Sequence, residues 1–581
     1  MTGKSAPFCM VTMLWYAICL GICIDTRLFV YLSLSQVLVS GFLILLMAIP
    51  VAVHWYKTKE RLLTDGVQWL VMGWLAYWTF HATCVHSPEI YKLLYLAETL
   101  SLLFLLPYLI RMGKMNSKAL DNGILFMSAV QIAGLVLQSI GCMKSYNEFF
   151  PLTGFCENPN VTAILLAVSI PMVIDRIQEK RHRKFWVVFL VLLCIYVAAL
   201  KCRTAFIGLA TIGIVRLMFS RKMCTWWWQK SCLRRTMLCS VLLVSAVALA
   251  YVLYSFNRAS ADGRMLVWKV SCKMMQEHPM GCGVGMFEHD YNLRQGEYFA
   301  SEAATSMERL NSGTVYMAYN DFIEQGVECG WPGMLLLLTF YFLLMAKAYR
   351  KGKIRELSVL TAFFLMSFTN FIYSTIQPWL VLITCTCSLI GNEPMPTRYK
   401  GYVTSSVGMV TSSALLFLLC MHTTLTFAQI QLGRLKSKDG SGEKVNLQEV
   451  ESMSKYIGTS EAYWHFLYEQ YYEQGLYVEA LQCAQKRMEY TSTPDVFFSA
   501  FDCYAQMNQA EKGIPYIMDV ARMLPQNLTS RLVLLKWFDS SQKEVEALAM
   551  AEEIVRMPIK IKNRRSEEIR NYAKNYIKNH K

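Results

Sequence analysis

The chain has 581 residues, of which 54% are hydrophobic and 17% are charged, and its formal net charge is +15. Soluble domains carry about 25% charged residues, so this composition excludes an ordinary soluble protein. The apolar residues fall into blocks of about 17–25, the length of a helix that crosses a lipid bilayer. Basic residues lie mainly in the short loops between these blocks, so the positive charge gives no reason to expect nucleic acid as a partner.

About thirteen apolar blocks are long enough to cross a membrane, so the sequence predicts an all-α polytopic membrane protein surrounded by lipid. The blocks lie at 7–24, 28–54, 66–85, 90–110, 121–143, 161–177, 185–201, 204–220, 236–256, 331–348, 359–373, 377–391 and 405–428. The first block follows Lys4 and has no convincing cleavage motif of small residues, so we expect it to remain as the first span.

Lysine and arginine accumulate in every second loop of this arrangement. The basic loops lie at 57–61, 111–118, 176–184, 221–235, 347–355 and 398–400. By the positive-inside rule these loops face the cytoplasm, together with the N-terminus. We therefore expect the long connection 257–330 and the C-terminal tail on the opposite, extracytoplasmic side.

The tail predicts a separate helical domain. We divide the chain into N-terminal spans at 1–150, a core at 151–430, a polar linker at 431–445 and the tail at 446–581. The tail repeats with a period of about 31–34 residues, which resembles tetratricopeptide repeats that offer a concave surface to protein partners. The alternative is a generic helical bundle without a partner. The repeated features are Gly475 with Asn508, Ala480 with Gly513, and Pro494, Pro525 and Pro558.

No metal or nucleotide cofactor is expected. Most of the 19 cysteines lie inside apolar blocks, where a thiol behaves as a small hydrophobic group. No CxxC pair or Cys/His cluster has the spacing of a zinc site. The glycines of "HPMGCGVG" follow no predicted strand, which argues against a phosphate-binding loop.

Four polar stretches lie near the predicted outer face. Taken singly, each has a structural explanation: Asn160 suits a helix N-cap, Arg203 could anchor a span at the lipid border, and the glycines could form a turn. If 263–276 is helical, Arg264 and Trp268 share a face, since they are four residues apart. The stretches are "NPN" at 158–160, "KCRTAF" at 201–206, "GRMLVWKVSCKMMQEHPMGCGVGMF" at 263–287 and "AYNDFIEQGVECG" at 318–330.

The order and spacing of these stretches resemble the O-antigen ligase/polymerase superfamily of membrane glycosyltransferases, over roughly residues 150–390. The resemblance implies an inverting enzyme that moves a glycan from a polyprenyl-diphosphate carrier to an acceptor hydroxyl without a metal. It also implies the inner membrane of a bacterium, with the repeat tail in the periplasm. The matching residues are Asn158, Pro159, Asn160, Arg203, Gly263, Arg264, Trp268, His278, Pro279, Gly281, Gly283, Gly285, Phe287, Ala318, Asn320, Glu328, Gly330 and Gly333.

The resemblance also implies roles for the residues. Arg203 and Arg264 are expected to stabilise the departing diphosphate, because its negative charge grows as the glycosidic bond breaks. Tyr319 stands where these enzymes commonly carry a histidine thought to activate the acceptor. The nearby candidates for that base are Glu324, His289 and Asp321. We expect Glu324 or His289 to replace it, or catalysis to rest mostly on leaving-group stabilisation. The substrate-binding candidates are Asn158, Asn160, Trp268, Asn320 and Asp321.

Several alternatives remain open at the level of sequence. The acceptor could be lipid A core, a polysaccharide end or a protein hydroxyl, and a polymerase would use the same donor chemistry. A transporter or flippase would need ionisable groups inside the spans, where Glu98 and His81 are the notable examples. A non-catalytic scaffold would use the repeat tail to recruit a periplasmic protein.

Overall fold

The computed structural model describes residues 6–23, 32–58, 65–85, 90–220, 258–301, 304–373, 375–391, 405–559 and 563–580, and isolated positions between 225 and 240. These residues form helices and connecting turns, with no strand among them. Helices coincide with the predicted apolar blocks, except for the block 236–256, which lies almost entirely outside the described residues.

The helices of the apolar part are numbered in chain order together with three helices of the long connection. The first eight are α1 (Ala6–Gly21), α2 (Leu32–Thr58), α3 (Gly66–Cys84), α4 (Ile90–Arg111), α5 (Ser117–Ser139), α6 (Pro159–Gln178), α7 (Arg183–Ala199) and α8 (Arg203–Met218). The connection contains α9 (Arg258–Glu277), α10 (Phe287–Ala300) and α11 (Ser306–Asn311). The last four are α12 (Asp321–Arg350), α13 (Ile354–Ser367), α14 (Ile376–Ile390) and α15 (Ser405–Gly440).

Four described helices are long and apolar enough to cross a membrane, judged by length and composition. They contain the stretches Gln36–Val53, Ser117–Ser139, Pro159–Gln178 and Asp321–Arg350, while Met10–Gly21 and Ile376–Ile390 are shorter apolar helices. This is consistent with a membrane protein. The number of thirteen spans remains a prediction.

The helical bundle has a densely charged end. Arg355 binds Asp121 at 2.7 Å, Arg216 binds Asp175 at 2.7 Å, and Lys347 pairs with Asp65. Arg216 lies in the last turn of α8, whereas Arg203 begins that helix, so about 20 Å separates the two arginines along it. The motifs gather around Arg203, at the opposite end of the bundle from these ion pairs.

The glycine turn after α9 locks against a kink in α12. Gly330 interrupts α12 with φ 68° and ψ −173°, and a Cβ there would lie 2.2 Å from the Pro279 carbonyl oxygen. Gly281, with φ 91°, also makes a close approach, since a Cβ there would lie 2.5 Å from the Glu328 carbonyl oxygen. The Trp331 N–H donates to the Pro279 carbonyl at 3.0 Å, and the Gly283 N–H to the Glu328 carbonyl at 3.0 Å. The glycines of both motifs are therefore required by one close backbone contact.

The tail consists of stacked helical hairpins. Its helices are α16 (Leu447–Ser452), α17 (Ser454–Ile457), α18 (Glu461–Glu473), α19 (Tyr477–Arg487), α20 (Pro494–Gln506), α21 (Ala510–Met523), α22 (Leu528–Ser540), α23 (Glu544–Arg556) and α24 (Arg564–His580). Gly475, Asn508 and Gln542 turn three successive hairpins with positive φ, so the predicted register of Gly475 and Asn508 holds. The assignment to tetratricopeptide repeats remains a prediction.

The predicted linker differs from the structure. Residues 431–445 were expected to form a polar linker, but α15 continues through this region to Gly440 and ends in a turn at Gly442. The inward face of α15 explains the difference, because Leu432 and Leu435 are buried against the tail core that includes Ile457. Burial of these leucines stabilises a helix that the surrounding polar residues did not predict.

The kink provides a test of the fold. Gly330→Ala should strongly lower the thermal unfolding midpoint of the purified full-length protein, because the new Cβ would overlap the Pro279 carbonyl. Gly352→Ala is the matched control, since Gly352 also has a positive φ, of 63°, but nothing within 4 Å of its Cβ position. The control should cost only the left-handed penalty of about 1–2 kcal/mol. Equal midpoints for the two variants would contradict the proposed close contact.

Candidate active site

Two arginines and a tyrosine meet at the end of the bundle away from the ion pairs. Arg203 begins α8 and is exposed, whereas Arg264 lies in the second turn of α9 and is half-buried. The Arg264 guanidinium donates to the Thr369 carbonyl at 2.9 Å and lies 5.0 Å from the centre of the Tyr319 ring. The Tyr319 ring in turn packs edge-on against Phe371, with centroids 6.2 Å apart. The contacts with the Thr369 carbonyl and the Tyr319 ring fix the direction of the Arg264 guanidinium.

The two arginines leave positive charge uncompensated at this place. Burial lowers the pKa of Arg264, and the nearby charge of Arg203 lowers it further. Among the described residues, the other groups that act on Arg264 are Tyr319 and Cys202, and neither is a carboxylate. A guanidinium stays protonated in proteins, so the pair attracts a multiply charged anion, for which its planar donors are well suited.

Tyr319 is presented by a strained turn at the start of α12. Its φ is 52°, in the left-handed region that a residue with a Cβ rarely adopts. The next residue, Asn320, caps α12 by accepting hydrogen bonds from the Phe322 and Ile323 N–H groups at 3.0 and 3.2 Å. Asp321 is buried, and its carboxylate accepts from the N–H groups of Ile372 and Tyr373. The side-chain oxygens of Asn320 and Asp321 thus accept hydrogen bonds from backbone N–H groups and stabilise the turn.

The Ala318 backbone is held on both sides. The Trp268 indole N–H donates to the Ala318 carbonyl at 3.0 Å, and the Ala318 N–H donates to Glu324 at 3.0 Å. Helix α9 contains the predicted helix 263–276, so Arg264 and Trp268 do share a face. Both side chains reach the segment at Ala318 and Tyr319. Trp268 and Glu324 therefore position Tyr319.

Lys92 was missed by the sequence analysis. It lies in the first turn of α4, pairs with the buried carboxylate of Glu328 and lies 3.6 Å from Glu324. The only signal in the sequence was an isolated lysine at the border of an apolar block, which is usually a residue that reaches out of the membrane. Lys92 therefore supplies the positive charge that compensates the buried carboxylates of Glu324 and Glu328 in the first turns of α12.

The "NPN" turn caps α6, but one residue differs from the prediction. The N-cap is Asn158, whose side chain accepts from the Asn160 N–H at 2.9 Å, and Pro159 occupies the first helical position. Proline suits that position because its fixed φ is helical and no N–H is lost there. The expectation that Asn160 is the cap was therefore wrong. Within the described part of the chain, the half-buried Asn160 side chain makes no hydrogen bond.

His289 does not join the cluster. Its Nδ1 lies 2.6 Å from Asp290, and its Nε2 lies 2.9 Å from the Met488 carbonyl of the tail. Burial alone would lower the pKa of His289, but the Asp290 carboxylate and the Met488 carbonyl raise it. Both ring nitrogens are thus engaged where α10 meets the tail. No local pattern around His289 indicates this contact, because its partner lies about 200 residues away in the chain.

The comparisons with known proteins concern this same region. Residues 188–338 match the family model described as O-antigen ligase. The match supports the O-antigen ligase superfamily and a role in glycan assembly for a multi-pass membrane protein. The matched segment includes Arg203, Arg264, Tyr319 and the turn and kink formed by the glycines. No curated protein matches the chain.

The Lys92 contacts provide a stability test. Lys92→Met should destabilise the protein by about 3 kcal/mol, because two buried carboxylates lose their counter-charge. The thermal unfolding midpoint of the full-length protein measures this loss. Adding Glu328→Gln should restore much of it, since an amide needs no counter-charge. Lys118→Met is the control, because Lys118 pairs with Glu179 on the exposed surface, and its midpoint should not change. A stable Lys92→Met protein would contradict the ion-pair interpretation.

Proposed function

We propose that the protein is an inverting glycosyltransferase that moves a glycan from a polyprenyl-diphosphate carrier to an acceptor hydroxyl. The observation that carries the proposal is the pair Arg203 and Arg264, which lie together without a carboxylate partner among the described residues. A diphosphate on a membrane lipid has the charge and the location that such a pair would bind. The O-antigen ligase match over 188–338 supports the same class of reaction.

In the proposed step, the oxygen of the acceptor hydroxyl attacks the anomeric carbon of the donor sugar. The bond from that carbon to the diphosphate oxygen breaks, and its electron pair leaves with the diphosphate. The two guanidiniums stabilise the charge that develops on this oxygen. As the new glycosidic bond forms, the proton of the acceptor hydroxyl passes to water or to the departing diphosphate. Displacement from the opposite side inverts the anomeric carbon. None of these steps requires a metal.

The contacts of Glu324 and His289 favour leaving-group stabilisation over catalysis by either of them as a general base. Glu324 accepts from the Ala318 N–H and lies near Lys92, so it is engaged within the turn. His289 uses both ring nitrogens at the tail. We propose that Tyr319 orients the acceptor, and that the arginines supply most of the rate enhancement.

Of the two ionisable residues that a transporter would use, His81 has a structural contact, since its Nε2 lies 2.8 Å from the Met280 carbonyl and so holds the glycine turn. Glu98 lies 3.4 Å from His422, and neither of its carboxylate oxygens makes a hydrogen bond among the described residues. The His81 contact favours the enzyme over the transporter. The charged end of the bundle would face the cytoplasm, and the arginine pair the periplasm.

Arg264→Ala should lower transfer at least about 100-fold, because one of two groups that stabilise the leaving group is removed. Transfer from a purified polyprenyl-diphosphate glycan by the full-length protein measures the effect. Arg258→Ala is the matched control on the same helix, since the Arg258 side chain is exposed and pairs only loosely with Asp262. Near-normal transfer by Arg264→Ala would disprove the proposed role.

Tyr319→Phe separates the contribution of the tyrosine ring from the contribution of its hydroxyl group. The ring contacts with Arg264 and Phe371 need no hydroxyl, so the variant should fold normally. If the hydroxyl orients the acceptor, the KM for the acceptor should rise several-fold while the KM for the donor is unchanged. Unimpaired transfer would exclude any role of the hydroxyl.

The same assay tests the function as a whole when lipid A core, polysaccharide and protein are offered separately as acceptors. Transfer to the first or the last supports a ligase, whereas extension of the polysaccharide supports a polymerase. No transfer to any of them by folded wild-type protein would contradict the proposal.

A further inference from the structure

The tail contacts the long connection mainly through backbone carbonyls. The Ser492 hydroxyl donates to the His289 carbonyl at 2.8 Å, and His289 Nε2 donates to the Met488 carbonyl. Gln526 donates to the Ser312 carbonyl. These contacts tie two tail turns, near Met488 and Gln526, to α10 and to the segment that follows α11. Contacts to backbone on both sides specify a fixed docking geometry.

Gln295 is the centre of this contact. Its side chain is fully buried, and its amide nitrogen donates both to the Met523 carbonyl of the tail at 2.9 Å and to the Gly313 carbonyl at 3.2 Å. Its amide oxygen accepts from the Tyr291 hydroxyl at 3.3 Å. One amide therefore joins the tail, α10 and the segment that begins at Gly313. The next residue, Gly296, brings α10 so close that a Cβ would lie 3.1–3.4 Å from three Met523 atoms.

Helix α10 also holds the middle of that segment. The Asn292 side chain donates to the Val315 carbonyl at 3.1 Å and accepts from the Val315 N–H at 3.0 Å. Three residues later the chain reaches Ala318, which Trp268 and Glu324 hold, and then Tyr319. Gln295 and Asn292 thus tie α10, and through Gln295 the tail, to two points of the chain segment that leads to the turn at Tyr319.

We propose that the tail is a brace for the acceptor side of the site, and that Gln295 is the positioning residue that transmits it. The expected change in acceptor kinetics rests on the proposed function, whereas the expected ordering of residues 312–320 by the tail does not. Arg203 and Arg264 lie on α8 and α9, outside the braced segment 312–320. Arg264 contacts Tyr319 of that segment, but it also donates to the Thr369 carbonyl, so donor binding depends on the brace less than acceptor orientation does. The tail therefore acts on its own chain, whatever else it binds.

The decisive variant is Gln295→Glu in the full-length protein. Glutamate has nearly the same shape, but its carboxylate cannot donate to the Met523 and Gly313 carbonyls. Hydrogen exchange of the peptides covering 312–320 should become about tenfold faster, because the Val315 and Ala318 amides lose their support. The KM for the acceptor should rise or kcat fall by about tenfold, with the donor KM unchanged.

Two other variants complete the experiment. Gly296→Leu wedges α10 away from Met523 and should reproduce the faster exchange even if Gln295→Glu folds poorly. Gln474→Ala is the control, because Gln474 is an exposed glutamine at the end of α18. Unchanged exchange at 312–320 in both Gln295→Glu and Gly296→Leu would overturn the brace, and an equal rise of donor and acceptor KM would overturn its restriction to the acceptor side. Because exchange is measured without substrate, inactive wild-type protein would refute the proposed function and leave the exchange result to decide the brace.

Discussion

The close contact between the glycine turn after α9 and the kink at Gly330 sets the geometry of the site. Two backbone segments approach each other at a distance that excludes a Cβ on either glycine, and they exchange hydrogen bonds on both sides of the kink. This contact fixes where α12 begins relative to α9. Tyr319, at the start of α12, can then lie over Arg264 in α9. The glycines that looked like a separate motif serve this alignment.

Charge separates the site from the rest of the bundle. At several other places in the described residues, a buried or half-buried charge pairs with an opposite charge, as Lys92 does with Glu328 and Arg355 does with Asp121. Arg203 and Arg264 instead lie close to each other, and their repulsion adds to the cost of burying Arg264. This unfavourable arrangement supports the proposed binding of a multiply charged anion.

The contacts of the tail change how its role is understood. The sequence predicted a separate repeat domain that offers a surface to protein partners and is joined by a polar linker. In the structure α15 continues into it, and its turns bond to α10 through Met488 and Met523. A scaffold function would not require such contacts with the segment leading to Tyr319. The tail is therefore connected, through α10, to the segment that leads to Tyr319.

The sequence by itself determined the helical class, most helix positions and the residues of the arginine cluster. It could do so because hydrophobic block length, proline and glycine act locally, and because the motif order was informative. Only the tertiary structure decided which polar residues face the cluster. Lys92 pairs with Glu328 of α12, His289 bonds to the Met488 carbonyl of the tail, and Asp321 accepts a hydrogen bond from the Ile372 N–H. These contacts join segments that are about 50 to 240 residues apart in the chain. A local sequence pattern does not indicate which distant segment a side chain will contact in the folded protein.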